Sequence, residues 1–344
     1  MATMADVARL AGVSRSTVSY VLSGTRPISA DTRERVLAAM ESLDYAPNVL
    51  ARALAGTRTG LLGLLLSTEA LGQGVDTAGY LTAAADEARA RGSHLMLLPG
   101  PADDAGPVRE TVRQGLVDGF VVMEVYTADA RVDYLREAGV PFVLVGRTDD
   151  VEGTAFCDAD FDAAAEEAVA HLAERGHRDV AVLTGPAVDR SHAPGFAVRS
   201  LAAVDAAARR HGVRSRVVPT AATFAGGWDA YAGIAAAGAT GVLLCNEPAG
   251  LGMISAAVAA GARIPQDLSV LTVFAGTETG ELTRPRLTSI GPDHTAMARR
   301  AIEFLLRRVA GEPAADLQML SAPVFLDRGS TAAPRPPRPV SPGP

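Results

Sequence analysis

From Gly60 onward, short unbroken apolar runs alternate with alanine-rich stretches of helical spacing. "LLGLLLS" (61–67), "HLMLLPG" (94–100), "GFVVMEV" (119–125) and "PFVLVGR" (141–147) predict strands, with helices at about 77–91, 105–116 and 129–138 between them. The rhythm then repeats. "DVAVLTG" (179–185), "SRVVPT" (215–220), "GVLLCN" (241–246) and "LSVLTVF" (268–274) predict strands, with helices at about 161–175, 195–211, 226–237 and 248–260. Strands that are apolar throughout and separated by helices belong to parallel sheets covered on both faces. Two such halves predict an α/β core of two similar lobes with a cleft between them. A helix at about 293–310 comes after the second half and is expected to cross back to the first lobe.

The first 45 residues have a different pattern, that of three short helices. Thr3 and Asp6 form a capping pair for the first, about 4–11, and Gly12-Val13 makes a turn. Ser14 caps the second, about 15–22. Ser29 caps the third, about 30–43, whose apolar face is Val36, Leu37, Met40 and Leu43, and Asp44 stands where a left-handed residue would end it. The small residues Ala8, Ala11 and Gly12 let the first two helices cross closely, with Ala8, Val13, Val18, Val21 and Leu22 as their core. "NVLARALAG" (48–56) reads as a further helix capped by Asn48. Alone it is too short to hold in water and needs a partner.

Charge sharpens this division. The chain has 344 residues and a net charge of -7, but residues 1–58 carry seven Arg against five Asp and Glu, and the acidic excess lies entirely in the remainder. A mildly basic helical unit on an acidic core permits nucleic-acid binding. The two cysteines, Cys157 and Cys245, are far apart and suit neither a disulfide framework nor a zinc site. No apolar run reaches the roughly 18 residues of a membrane span, and no leader segment is read, so the expected location is the cytoplasm.

The second helix turns Arg15, Ser16 and Tyr20 outward. Its first turn is the part that meets base edges when such a helix enters a major groove. An arginine there can grip guanine O6 and N7 with two hydrogen bonds. Ser14 and Thr17, with the helix N-terminus, could hold phosphates and set register.

The stretch "MADVARLAGVSRSTVSYVLSG", with "R-x-x-V-x-x-A" and "N-x-x-A-R-x-L" after it, resembles the start of a LacI/GalR-family transcriptional regulator. The similarity extends more loosely to about residue 328. It implies a three-helix helix-turn-helix headpiece, a hinge helix and a periplasmic-binding-protein-like core of two lobes with parallel sheets. Arg15, Ser16 and Tyr20 then take the base-reading positions. Arg52 lies near phosphates, and Leu54 is a wedge that enters the minor groove and kinks the operator. The implied partners are double-stranded operator DNA, a second copy of the chain and a small-molecule effector.

In the core, "LLCNEPAG" keeps the asparagine that this family places at the cleft, here Asn246; it would also serve as a helix N-cap. Two positions depart from the family pattern. After "DLSV" the family commonly carries an aspartate that binds sugar hydroxyls. This chain reads "LTVFA", so Phe274 and Ala275 leave no carboxylate. The family arginine of the second lobe falls at Ser200 by count, with Arg199 one residue early. Either Arg199 takes the effector contact through a shift or that contact is lost, and Phe274 makes the wall more apolar. The lost carboxylate argues against a typical sugar effector.

Catalytic signatures are absent: no G-x-S-x-G, no Walker loop, no H-E-x-x-H. The six histidines are scattered, and His177 reads as a turn residue. In "DADFDAAAEE" (158–167), Asp160 or Asp162 is expected to cap a helix and the other carboxylates to be solvated. No metal, cofactor or catalytic residue is expected, and the chain is not read as an enzyme. A solute-binding or enzymatic protein on the same two-lobed fold is the alternative, and the headpiece argues against it.

The expected division is 1–46 headpiece, 47–59 hinge and linker, 60–328 core and 329–344 a disordered proline-rich tail. One lobe would comprise about 60–155 with 276–310, the other 156–275 with 311–328.

Overall fold

A computed structural model describes residues 2–23, 26–45, 58–67, 75–101, 103–186, 193–276 and 278–335. The hinge "NVLARALAG", with Arg52 and Leu54, lies outside the described residues.

The headpiece is three helices, α1 (Met4–Ala11), α2 (Arg15–Ser23) and α3 (Ala30–Ser42). A full capping box joins Thr3 and Asp6. Gly12 ends α1 at φ 66°, a left-handed conformation that a side chain would strain. Arg35 of α3 donates to the Ala11 carbonyl at 3.0 Å, so a cation closes the C-terminus of α1. Val7, Ala8, Ala11, Val18, Val21, Val36 and Ala39 form the core, with Val13 and Leu22 partly buried against it. Leu37, expected inside, is 49% exposed. Asp44 does adopt the left-handed region at φ 47°.

The core contains two six-stranded sheets. The first holds β1 (Leu61–Leu66), β2 (His94–Pro99), β3 (Gly119–Val122), β4 (Phe142–Val145), β5 (Phe156–Ala159) and β11 (Gln318–Ser321), in the order β11-β5-β4-β3-β1-β2. The second holds β6 (Asp179–Thr184), β7 (Arg214–Pro219), β8 (Gly241–Leu244), β9 (Ser269–Val273), β10 (Thr288–Gly291) and β12 (Val324–Leu326), in the order β12-β10-β9-β8-β6-β7. Every strand pairing among the described residues is parallel except β10 with β12. The lobes therefore share one strand order and differ in the direction of the edge strand, β11 running parallel and β12 antiparallel to its neighbour.

The helices are α4 (Val75–Ala90), α5 (Gly106–Gln114), α6 (Ala130–Glu137), α7 (Phe161–Glu174), α8 (Gly195–Arg210), α9 (Phe224–Ala236), α10 (Glu247–Ala259) and α11 (His294–Val309). α11 packs on α4 and on β3, β4 and β5, so it does return to the first lobe.

The lobe boundaries differ from those expected in three places. β5 pairs with β4 and belongs to the first sheet, although 156–159 is expected in the second lobe. β10, expected in the first lobe, pairs with β9 in the second. β11, expected in the second, pairs with β5 in the first. The chain thus passes between lobes after β5, after β10 and between β11 and β12. These strands are short and carry polar residues, so pairing across the sheet decides their place rather than local pattern.

The expected disordered tail also begins too early. Ser330 is fully buried, its hydroxyl bonds the Val270 carbonyl, and Arg335 pairs with Asp267 at 2.8 Å. His177, expected in a turn, is 1% exposed. Its Nε2 donates to the Ala332 carbonyl at 2.8 Å, and Nδ1 meets the Thr240 hydroxyl at 2.9 Å. A buried imidazole thus pins residues 330–332 to the second sheet. Burial pulls both His177 and the neighbouring His171 below the usual histidine range.

Candidate nucleic-acid interface and ligand cleft

α2 stands on Val18 and Val21, both buried, and this fixes which side it offers outward. Ser14, Arg15 and Ser16 are exposed and Thr17 is half-buried. The Ser14 hydroxyl accepts from the Thr17 N–H at 3.1 Å and lies 2.7 Å from Ser16 Oγ and 2.8 Å from Thr17 Oγ1. Ser14 is therefore the cap of α2, and its hydroxyl network pre-positions the first turn. Tyr20 is half-buried, with the Arg26 guanidinium 4.9 Å from its ring centroid. Of the three proposed base readers, Arg15 and Ser16 are exposed, Ser16 within the hydroxyl network of Ser14, and Tyr20 is flanked by a cation.

The first lobe begins immediately after the hinge with a tight anchor. Asp118 accepts from the Thr59 N–H at 2.6 Å, the Thr59 hydroxyl at 3.0 Å and the Gly60 N–H at 2.8 Å. Arg58 donates to the Val309 carbonyl at 2.7 Å.

The segments that follow β3 and β4, and Asp158 of β5, meet the start of α8, which follows β6, and the carboxyl ends of such strands are where an open α/β sheet takes ligands. Asn246 caps α10, with its oxygen accepting from the Ala249 N–H at 3.1 Å. Its amide nitrogen lies over Gly185 at the end of β6, 3.5 Å from where a Cβ on that glycine would stand. Asn246 therefore keeps a donor at the cleft beyond its capping role. Phe274 sits in the left-handed region at φ 67°, unusual for an aromatic residue, and its ring lies 5.3 Å from that of Phe161. The phenyl group packs on the second lobe's own core and is only half-buried. Under α10 a pocket is lined by Leu244, Glu247, Thr272, Ala275, Thr283 and Leu287 among others.

Arg199 points to the cleft, but toward partners within the chain. It donates to the Arg147 carbonyl at 2.8 Å, and its Nε lies 3.4 Å from Asp158 Oδ2. Arg147 Nε lies 3.3 Å from the same oxygen. Asp158, expected to be solvated, is 3% exposed. Burial raises its carboxyl above the usual range despite both guanidiniums, and burial lowers Arg199 despite the carboxylate. Sequence reasoning missed Asp158 and Arg147. The available signal was a carboxylate inside the otherwise apolar "AFCDA". Asp160 does cap α7, accepting from the Ala163 N–H at 2.9 Å. Among the described residues, no three His, Cys, Asp or Glu are grouped to hold a metal, and no helix is long and apolar enough to cross a membrane.

Comparison with known proteins agrees with this architecture. The profile of bacterial regulatory proteins of the lacI family matches residues 3–48, and that of the periplasmic binding protein-like domain matches 169–331. The HTH-type transcriptional regulator reg1 of Streptomyces lividans is 31% identical, over 96% of each chain. This chain belongs to the LacI family. The ribose operon repressor of Escherichia coli is 29% identical, over 96% of this chain and 100% of that one. Among solved structures, the lac repressor dimer bound to operator and the anti-inducer ONPF has a TM-score of 0.78 at 25% identity, covering 96% of this chain and 99% of that one. The CelR–cellobiose complex has a TM-score of 0.69 at 26% identity, covering 96% and 100%. As a member of this family the chain is a DNA-binding transcriptional regulator.

Proposed function

We propose that this LacI-family chain is a cytoplasmic homodimeric repressor of a palindromic operator, set by a small molecule in the inter-lobe cleft. The observation that carries the reading is the first turn of α2, where Arg15 and Ser16 are exposed over a packed apolar core. Each subunit would place α2 in one major-groove half-site. Arg15, Ser16 and Tyr20 read base edges there, while Ser14 and Thr17 hold phosphates. Arg52 and Leu54, outside the described residues, are assigned to backbone contact and to the minor-groove wedge. Action is by binding, with no catalytic step.

Asn246, Arg199 and Phe274 are the effector contacts of the reading. Relatives are named for cellobiose and for ribose. Here a phenyl ring stands at the end of β9, where a carboxylate would accept paired hydroxyls, so the effector need not be a typical sugar. An effector changes DNA affinity only if it binds the two lobe arrangements unequally.

The test is nuclease footprinting of the purified chain on DNA flanking its own gene. A protected two-fold-symmetric stretch with half-sites about one helical turn apart is expected. No protection of any such stretch refutes the repressor reading.

A further inference from the structure

Among the described residues, backbone hydrogen bonds and an arginine–aspartate contact join the two lobes at the start of α8. The N-terminus of α8 has no side-chain cap. Its first N–H, on Gly195, instead donates across the cleft to the Val125 carbonyl at 2.8 Å. The Thr127 N–H returns a bond to the Ala193 carbonyl at 3.3 Å, and Tyr126 and Pro194 form an antiparallel bridge. A helix N-terminal donor left without a partner in its own lobe is thus satisfied by the other. Beside this bridge, Arg199 of the second lobe reaches the Arg147 carbonyl and Asp158, both of the first.

Asp158 has an unusual situation. Its Oδ1 accepts only from the adjoining Ala159 N–H, at 2.9 Å. Its Oδ2 and Arg199 Nε are both buried and without a hydrogen bond among the described residues, although they lie 3.4 Å apart. A buried carboxylate between two half-buried guanidiniums draws on Coulomb attraction, and losing it leaves the two cations side by side without their shared anion. Gly195 makes the approach possible. A Cβ there would stand 2.3 Å from Arg199 Nη2 and 2.9 Å from the Arg147 carbonyl oxygen, and the latter is backbone that cannot swing aside.

We infer that Asp158, held between Arg147 and Arg199, is an internal anion that latches the two lobes together. The chain supplies for itself the group that would otherwise have to arrive with a ligand. The effector's work is then to exchange contacts with an existing latch, not to close an open cleft. This concerns the cleft of the proposed function but requires neither an effector nor DNA, so it stands or falls separately from that reading.

The experiment is amide hydrogen exchange on the full-length protein without ligand, comparing wild type with Asp158→Asn and Gly195→Ala. In the wild type the Gly195 and Thr127 amides should be protected well beyond surface amides. In both variants that protection should fall about tenfold or more. The Phe156 amide, bonded to the Leu317 carbonyl within the first lobe, and the Val270 amide, bonded to the Ser330 carbonyl within the second, report on the lobes themselves and should not change. Unchanged protection of Gly195 and Thr127 in Asp158→Asn overturns the latch, and so does an equal loss at Phe156 and Val270, which would make Asp158 a general stability residue. A second readout is thermal melting with inorganic phosphate. Asp158→Asn, left with two unpaired guanidiniums, should gain a phosphate-dependent rise that the wild type lacks, and no gain counts against the two arginines sharing one anion.

Discussion

In α2 the polar groups of the first turn stand in solvent, supported from behind by Val18 and Val21. In the cleft Asp158 is buried and Arg199 is half-buried, its Nε turned toward the Asp158 carboxylate. The first arrangement keeps its hydrogen-bonding capacity for a partner outside the chain. The second consumes much of it within the chain, so a ligand must compete with Arg147 and Asp158 for Arg199. The same residue type, arginine, is thus exposed at the proposed reading turn and tied within the chain at the cleft. Burial and the position of the nearest carboxylate decide which.

The comparison can be broken most forcefully at the DNA end. Arg15→Ala should remove about 1–3 kcal/mol of discrimination between operator and altered sites while leaving salt-sensitive binding to random DNA. Competition binding at two salt concentrations measures both. A uniform loss on all sequences would mean that Arg15 contacts phosphate, and the contrast between reader and tie would fail.

A medium effect is expected at Asn246, where the cap of α10 coincides with a proposed ligand contact. Asn246→Ala should lower stability by about 1 kcal/mol through loss of the cap of α10. Asn246→Asp keeps an acceptor for the Ala249 N–H and should hold that stability while losing the amide donor. If Asn246 serves the effector, both variants bind it more weakly. Effector binding at wild-type strength in Asn246→Asp would reduce the residue to a cap.

The smallest effect belongs to the second lobe's closing segment. His177 and His171 have their titration lowered by burial, so they destabilise the fold when charged. Stability should be level above the ordinary histidine value of about 6.5. It should decline as the pH falls below that value toward the lowered ones. Melting temperature against pH reads this, and His177→Gln should flatten part of the decline. A decline that begins only in the carboxylate range would place the acid sensitivity elsewhere.

How much of this was legible along the chain depends on where each element finds its partners. The capped helices of the headpiece and the apolar strands β1, β3, β6 and β8 carry their own signals and lie where the pattern puts them. The strands at the crossings did not announce themselves. "FCDA", "TSIG" and "QMLS" are short and partly polar, and each is a strand because a sheet edge or a neighbouring strand receives it. Asp158 was misread for the same reason. The apolar run "AFCDA" hints that its carboxylate is buried, but its partners are Arg147, eleven positions earlier, and Arg199 in the other lobe, which no local window shows. Residues 329–335 read as tail because proline dominates the stretch from 334 to 344. His177 and Asp267, both distant in sequence, hold them in place.

The most direct measurement of the central claim is selection of randomised duplex DNA by the purified full-length protein. Wild type should enrich a two-fold-symmetric site with one strongly preferred base pair in each half, and Arg15→Ala should lose that preference while the half-site spacing persists. Enrichment of no common sequence by wild type, or an identical preference in both proteins, would contradict the assignment of base reading to the first turn of α2.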